Sequence, residues 1–433
     1  MDVLECTTAP ALDCCTAATA ARADTKAPGI LQATGAALLA LSATCTGCNN
    51  QYYDENMATA FINVDHHGAI PYVTDATADI GAVINAIIAE LGSEKYGIIY
   101  VPGRAYGCST TIEVPKTCQG FRMIGNGGWY YVNEASGYIG VSSRLLWTGS
   151  DGGTIMKSAS HGTTIEGIAF VGYAASSGSV HTLANIDNAG IGLQLEYESG
   201  IGAGMMNIRN CSFAKCDVGL QFGDADNSNC DQSVVDQPTF YNCTTGIKVN
   251  GTQQVGIMVR RPWSMYTGLL DVRGGSLFLD GYDLTSTNLG LINVQTTNTH
   301  TYIQLDNVKV DAASGAISLI DCSNNGSTGR GIIVMNNLWH GATAPSSPTI
   351  DLKYVMQLYL NNCHQIPEGL IKCTGTTSKR ARVFLRDCWC SADPGSNTGM
   401  VDAAESTSPW TSTWSGCIDG EGEDYTDGSA SGA

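Results

Sequence analysis

The sequence predicts an all-β fold of the parallel β-solenoid type, in which one chain winds into stacked coils. Three observations predict it. Short aliphatic and β-branched runs return along the chain, each closing on Gly, Asn or Asp: Ile-Glu-Gly167, Ile-Arg-Asn210, Phe-Tyr-Asn242, Leu-Asp-Gly281, Leu-Asp-Asn307, Met-Asn-Asn337, Leu-Asn-Asn362 and Leu-Arg-Asp387. Their spacings of 43, 32, 39, 26, 30, 25 and 25 residues define a coil of about 25 residues, lengthened in places by extruded loops. Charged residues are only 14% of the 433, against about 25% in an average soluble protein, while Gly supplies 51 positions. Finally, the clearest helical stripe lies at residues 79–91, and no further helix is evident after it.

A lone coil cannot bury its inward apolar side chains. Stacked about 4.8 Å from the next, it pairs every strand and aligns equivalent residues. Asn and Asp suit the turns because they tolerate left-handed backbone and hydrogen-bond along the stack. Several segments carry a second strand after the turn, as in Gly219-Leu-Gln-Phe, Gly246-Ile-Lys-Val, Gly290-Leu-Ile-Asn-Val and Gly369-Leu-Ile-Lys-Cys.

In chain order, residues 1–65 form a Cys-rich region with Cys6, Cys14, Cys15, Cys45 and Cys48, read as an attachment segment. Within it, Ile30 to Leu41 is apolar but follows Asp2, Glu5, Asp13 and Asp24 instead of a basic stretch. It is therefore expected to be a helix packed in an assembly, not a secretion signal. Residues 66–128 hold the helix and the first coil. Ile80, Val83, Ile84, Ile87, Ile88 and Leu91 fall on one stripe, with Asp75 or Thr77 placed to cap the start and Gly92 the end. The strand Tyr96 to Pro102 follows. Residues 129–410 are the solenoid, and 411–433 an acidic, flexible tail.

The Thr74-Asp75-Ala76-Thr77 segment and its helix, then Gly97-Ile-Ile-Tyr-Val-Pro-Gly-Arg-Ala-Tyr106, Ile112-Glu-Val-Pro115 and Met123-Ile-Gly125-Asn-Gly127, resemble the opening of the pectate-lyase-like right-handed parallel β-helix superfamily. The likeness is to phage tailspikes and related virion spikes. It spans about residues 72–128, and the later coils agree in period. The resemblance implies a right-handed β-helix whose helix caps the open end, a homotrimer, and a place on a virus particle.

Composition excludes several functions. With 40 acidic against 22 basic residues, the formal charge of −18 repels phosphate backbones, so no nucleic-acid partner is expected. No apolar run reaches the roughly 18 residues of a membrane span, and no membrane partner is expected either. Signatures of the GxSxG, GxxxxGK[ST] and HExxH kinds do not occur. The glycine clusters Gly125-Asn-Gly127-Gly128 and Gly200-Ile-Gly202-Ala-Gly204 open no helix and read as tight turns. Asp65-His66-His67 reads as a linker into the cap, because neighbouring side chains on extended chain face opposite ways. No cofactor or metal is expected.

Paired carboxylates on separate coils leave no linear motif, so glycoside cleavage is the alternative function to weigh. Its weak catalytic candidates are Asp224, Asp226, Asp231 and Asp236, with Glu196 and Glu198 one coil earlier; the bland reading is a solvated acidic surface. The cysteines carry more. Seventeen is an odd number, so at least one thiol per chain stays free or bonds elsewhere. Cys211 with Cys243, and Cys363 with Cys388, share a coil position, which brings their α carbons to about 5 Å, within disulfide range; a ladder of reduced thiols is the other outcome. Cys6, Cys14, Cys15, Cys45 and Cys48 are candidates for bonds to other chains. The expected function is a phage virion structural protein, a β-helical spike or decoration subunit held to other virion proteins through its N-terminal region. Host surface polysaccharide would be a partner if the alternative, a tailspike depolymerase, holds.

Overall fold

Ile99, Met123, Ile165, Ile208, Val235 and Val259, then Leu279, Leu305, Met335, Leu360, Leu385 and Trp414, stand in one registered column, each paired with the next through parallel strands. All are buried. The column runs along the interior of one face of a right-handed parallel β-helix. The computed structural model describes residues 60–92, 97–128, 142–172, 189–195, 204–223, 230–250, 254–265, 267–284, 292–294, 300–310, 319–322, 330–340, 350–353, 355–364, 370–374, 380–390, 401, 406–407, 409–419 and 423–432. Residues 63–433 form one unit; residues 1–62 form another, of which only 60–62 are described. The candidate interchain cysteines Cys6, Cys14, Cys15, Cys45 and Cys48 lie outside the described residues, as does the apolar segment of residues 30–41.

One coil illustrates the winding. Strand Asn207–Arg209 ends at Asn210, strand Ser212–Ala214 follows and ends at Lys215, and strand Cys216–Phe222 completes the third face. Asn210 has φ 49° and Lys215 φ 56°. Left-handed backbone at both corners turns the chain without interrupting the ladders on either side. Down the rod, the first corner is occupied by Gly167, Asn210, Gln237, Arg261, Gly281, Asn307, Asn337, Asn362, Asp387 and Gly416, all with positive φ. From Asn307 onward amides link the layers: Asn337 Nδ2 donates to Asn307 Oδ1 at 3.0 Å. A second row runs beside it, with Asn336 Nδ2 donating to Asp306 Oδ1 at 2.6 Å and Asn361 Nδ2 to Asn336 Oδ1 at 2.8 Å.

Two features of the predicted repeat are corrected by the register. Asn242 belongs to the second corner, beneath Lys215, whereas Gln237 and Arg261 occupy the first. Gln and Arg seldom mark a left-handed turn, so a whole coil is hidden inside the 39-residue spacing after Asn242. The tail is also structured. Trp410–Ser415 is the last parallel strand, and Gly428–Gly432 pairs with it antiparallel, closing the free edge. Gly428 and Gly432 lie against the rings of Trp414 and Trp410, leaving no room for a Cβ.

At the other end, the helix Ile80–Leu91 buries Ile80, Ile84, Ile87 and Ile88 over the first coil. Its N-cap is Asp79, not the expected Asp75 or Thr77: Asp79 Oδ1 accepts from the N–H of Gly81 at 3.0 Å and of Ser109 at 2.9 Å. Asp75 instead accepts from Thr77 within its own turn. Asp65 and His66-His67 form a short 3-10 turn, where Asp65 accepts from Tyr106 Oη at 2.6 Å and pairs with Arg104 at 3.3 Å. The Gly125 turn is a packed corner, with Gly167 O and Ser143 lying where a side chain would go.

Candidate functional site

The second face stacks aromatic rings. Phe170, Phe213 and Phe240 lie in register at 5.3 Å between centroids, with interplanar angles of 8° and 14°. Lower down, thiols take a different interior position, one residue after the first corner and two before the phenylalanine position. Because Asn361 pairs with Arg386 and Arg386 with Ser415, Cys363, Cys388 and Cys417 form a column of their own. Cys390 hydrogen-bonds to Cys417. All four are buried, and all twelve described cysteines are free thiols.

Cys211 does not face Cys243. The register places Cys243 over Cys216, and these two thiols hydrogen-bond to each other. Cys211, one corner earlier in its coil, contacts Ile165 O and Arg209 O instead, and burial pushes its thiol up to about 12. The mismatch follows from the misplaced Asn242: aligning Asn210-Cys with Asn242-Cys equates two different corners.

The glycosidase candidates divide. Glu196, Glu198, Asp224 and Asp226 lie outside the described residues. Asp231 Oδ1 accepts from the N–H of Val255 in the next coil at 2.6 Å. Asp236 accepts two hydrogen bonds from Arg261, at 2.8 and 3.1 Å, again one coil on. Both described acids therefore hold successive layers together.

A feature not anticipated from the sequence lies on the outward side of the third face. Between inward-facing neighbours, Lys157, Gln194, Gln221, Lys248, Asp271, Asn293, Asp321, Asp351 and Lys372 form a polar row in register. Gln194, Gln221 and Asp271 in it are buried. Burial raises the Asp271 carboxyl above the ordinary aspartate range despite Arg273 and Lys248 nearby. Burial also lowers the Lys248 ammonium, and Arg273 lowers it further. Among the described residues, Asp271 Oδ1 and Asn293 Oδ1 meet no hydrogen-bond donor. Further along, Lys372 pairs with Asp351 at 3.6 Å, and Thr374 donates to the same carboxylate at 2.6 Å. The only available sequence signal was the period-2 alternation of Leu270, Asp271 and Val272, which says where Asp271 points but not that it is covered. Among the described residues, no group of His, Cys, Asp and Glu is arranged to hold a metal ion.

Stacked parallel ladders with left-handed corners define the class: a parallel β-helix. No family model and no curated protein matches the sequence. Several solved structures are similar to this chain. The DFA-IIIase of Arthrobacter chlorophenolicus A6 in complex with GF2 is 11% identical, with a TM-score of 0.49 over 83% of this chain and 93% of that one. The pre-mature bacteriophage phi29 gene product 12 is 12% identical, with a TM-score of 0.45 over 84% of this chain and 57% of that one. The Acinetobacter phage vB_ApiP_P1 tailspike protein is 11% identical, with a TM-score of 0.43 over 83% and 58%.

Proposed function

We propose that the protein is a structural subunit of a phage particle, a β-helical spike or decoration protein displayed on the virion and attached through residues 1–65. The observation that supports this reading most is how the polar side chains are used. Asp231, Asp236, Asn307, Asn337 and Asn362 spend their hydrogen bonds between one coil and the next. Such bonding stiffens a rod. Self-association is the second part of the reading. On the outward side of the first face, Phe278, Tyr302, Ile332, Val334, Tyr359 and Phe384 are half-buried, and Tyr359 stacks on Phe384 at 4.5 Å. We assign that stripe to contact with further copies of this chain, in a homotrimer. Cys6, Cys14, Cys15, Cys45 and Cys48 would bond covalently to neighbouring virion proteins once the particle leaves reducing cytoplasm.

Non-reducing gel electrophoresis of purified particles tests the attachment. The expected result is a high-mass band that collapses to the subunit on adding reductant; a subunit that migrates alone without reductant defeats covalent anchoring. Sedimentation of the free protein tests the trimer. Shortening of a host surface polysaccharide that is lost on Asp224→Asn or Asp226→Asn would replace this reading with the depolymerase.

A further inference from the structure

Cys417 sits at the last turn of the rod with two thiols against it. Cys388 is its registered neighbour one coil back, and Cys390 hydrogen-bonds to it as well. The same residues tie the terminal hairpin to the rod: Cys390 N–H donates to Ile418 O, Ile418 N–H to Cys388 O, and Tyr425 N–H to Cys417 O. Hydrogen bonds from Cys388 and Cys390 hold the Cys417 thiol well below the ordinary thiol range. Cys363, one coil further from the end of the rod, is likewise lowered by Cys388, whereas Cys216 is raised by its contact with Cys243. Cys322 and Cys373 are kept two layers apart by Leu352, and Cys211 touches only backbone carbonyls.

We propose that Cys417 is an oxidation site, forming an intrachain disulfide with Cys388 or Cys390 that staples the terminal hairpin to the rod. The oxidant is a small-molecule disulfide such as oxidised glutathione. The Cys417 thiolate attacks one of its sulfurs and releases one glutathione thiolate. Cys388 or Cys390 then loses its proton, attacks the Cys417 sulfur of the mixed disulfide and releases the second glutathione. Two protein thiols give up two protons and two electrons, and one glutathione disulfide becomes two thiols. Exchange needs the attacking sulfur as thiolate, and Cys417 is the thiol of these three whose ionisation its neighbours favour. Access comes from opening at the end of the rod, where the strand Gly428–Gly432 pairs with the last parallel strand. The bond closes a loop of 27 or 29 residues around the final coil, and it restrains the unfolded chain as well as the hairpin. The proposal concerns one chain and is independent of any attachment to a particle.

The test uses the full-length protein, equilibrated with oxidised glutathione, alkylated under denaturing conditions, digested and mapped by mass spectrometry. The expected result is a peptide pair joining Cys417 to Cys388 or Cys390, with Cys211 alkylated. The oxidised protein should melt a few degrees above the reduced one, and Cys417→Ala should lose that difference while Cys211→Ser keeps it. Mapping the unmutated protein decides the matter even if Cys417→Ala fails to fold. Cys417 recovered fully alkylated, joined to another chain, or bound to stoichiometric zinc in the purified protein would overturn the proposal.

Discussion

Asn362 Nδ2 donates to Asn337 Oδ1 at 2.7 Å across adjacent coils, while both residues hold left-handed backbone, with φ 50° and 56°. One residue type thus satisfies two demands of the same corner. Asn337 is the middle rung, donating to Asn307 and accepting from Asn362. Replacing it separates the two contributions. Asn337→Ala loses both side-chain hydrogen bonds and keeps a Cβ in left-handed backbone, at an expected cost of about 2–3 kcal/mol. Asn337→Gly removes only the hydrogen bonds and should cost about 1–2 kcal/mol. Urea denaturation of the two variants checks the order; equal losses would show that the backbone contributes nothing.

Phe213 lies between two rings, so its loss opens a cavity bounded above and below. Phe213→Ala is expected to cost about 3–5 kcal/mol, and Phe213→Leu markedly less. Phe170→Ala, measured alongside, disturbs the same stack, and the double variant should show strong coupling with Phe213→Ala.

Asp79 joins the capping helix to the first coil through one carboxylate oxygen. Burial alone would raise its carboxyl, but hydrogen bonds from Thr110 and Ser109 outweigh burial and hold it below the ordinary aspartate range. A lowered folded value means stability that is present above the unfolded value and lost as pH falls through the folded one. Asp79→Ala should therefore cost about 1–2 kcal/mol at neutral pH. The gap to the unmutated protein should close in acid, as thermal melts from pH 7 to pH 2 will show.

For Asp271 the sign reverses. Its carboxyl is raised by burial, so ionising it opposes folding, and stability falls as pH rises from the unfolded value through the folded one. Asp271→Asn should be more stable than the unmutated protein at neutral pH, with the advantage disappearing below the ordinary aspartate range. A variant that is less stable at pH 7 would mean that the charge is compensated by Lys248 and Arg273.

The antiparallel strand Gly428–Gly432 covers an edge that would otherwise offer its backbone to any other strand. Gly428→Val drives a side chain into the Trp414 ring, and deletion of residues 428–433 removes the cover altogether. Both changes should raise aggregation rates, measured by light scattering at fixed protein concentration, with the deletion the more severe.

Much of this architecture was legible in the sequence because stacking imposes a period. Low charge, the recurring Asn and Gly corners and the stripe Ile80, Ile84, Ile87 and Ile88 each report a local requirement that any one coil must meet. Corner identity was less legible. Gln237, Arg261 and Lys215 adopt left-handed backbone with side chains that give no such signal, and Asn242 gave the signal at the wrong corner. The spacing therefore matches Cys211 to Cys243, whereas the register sets Cys216 against Cys243; Cys363 and Cys388 lie in a stretch of regular coils, where the spacing alone carries the register.

The sequence by itself determined that apolar runs must be layered and that Asn, Asp or Gly must close them, since both follow from what a short segment can bury and which backbone it tolerates. Only the tertiary structure decided which residues share a column. Register depends on the length of every loop between coils, and one extra corner changes each later pairing. For that reason the thiol contacts at Cys417, the covered carboxyl of Asp271 and the closing strand at Gly428–Gly432 are properties of the stack and not of any local segment.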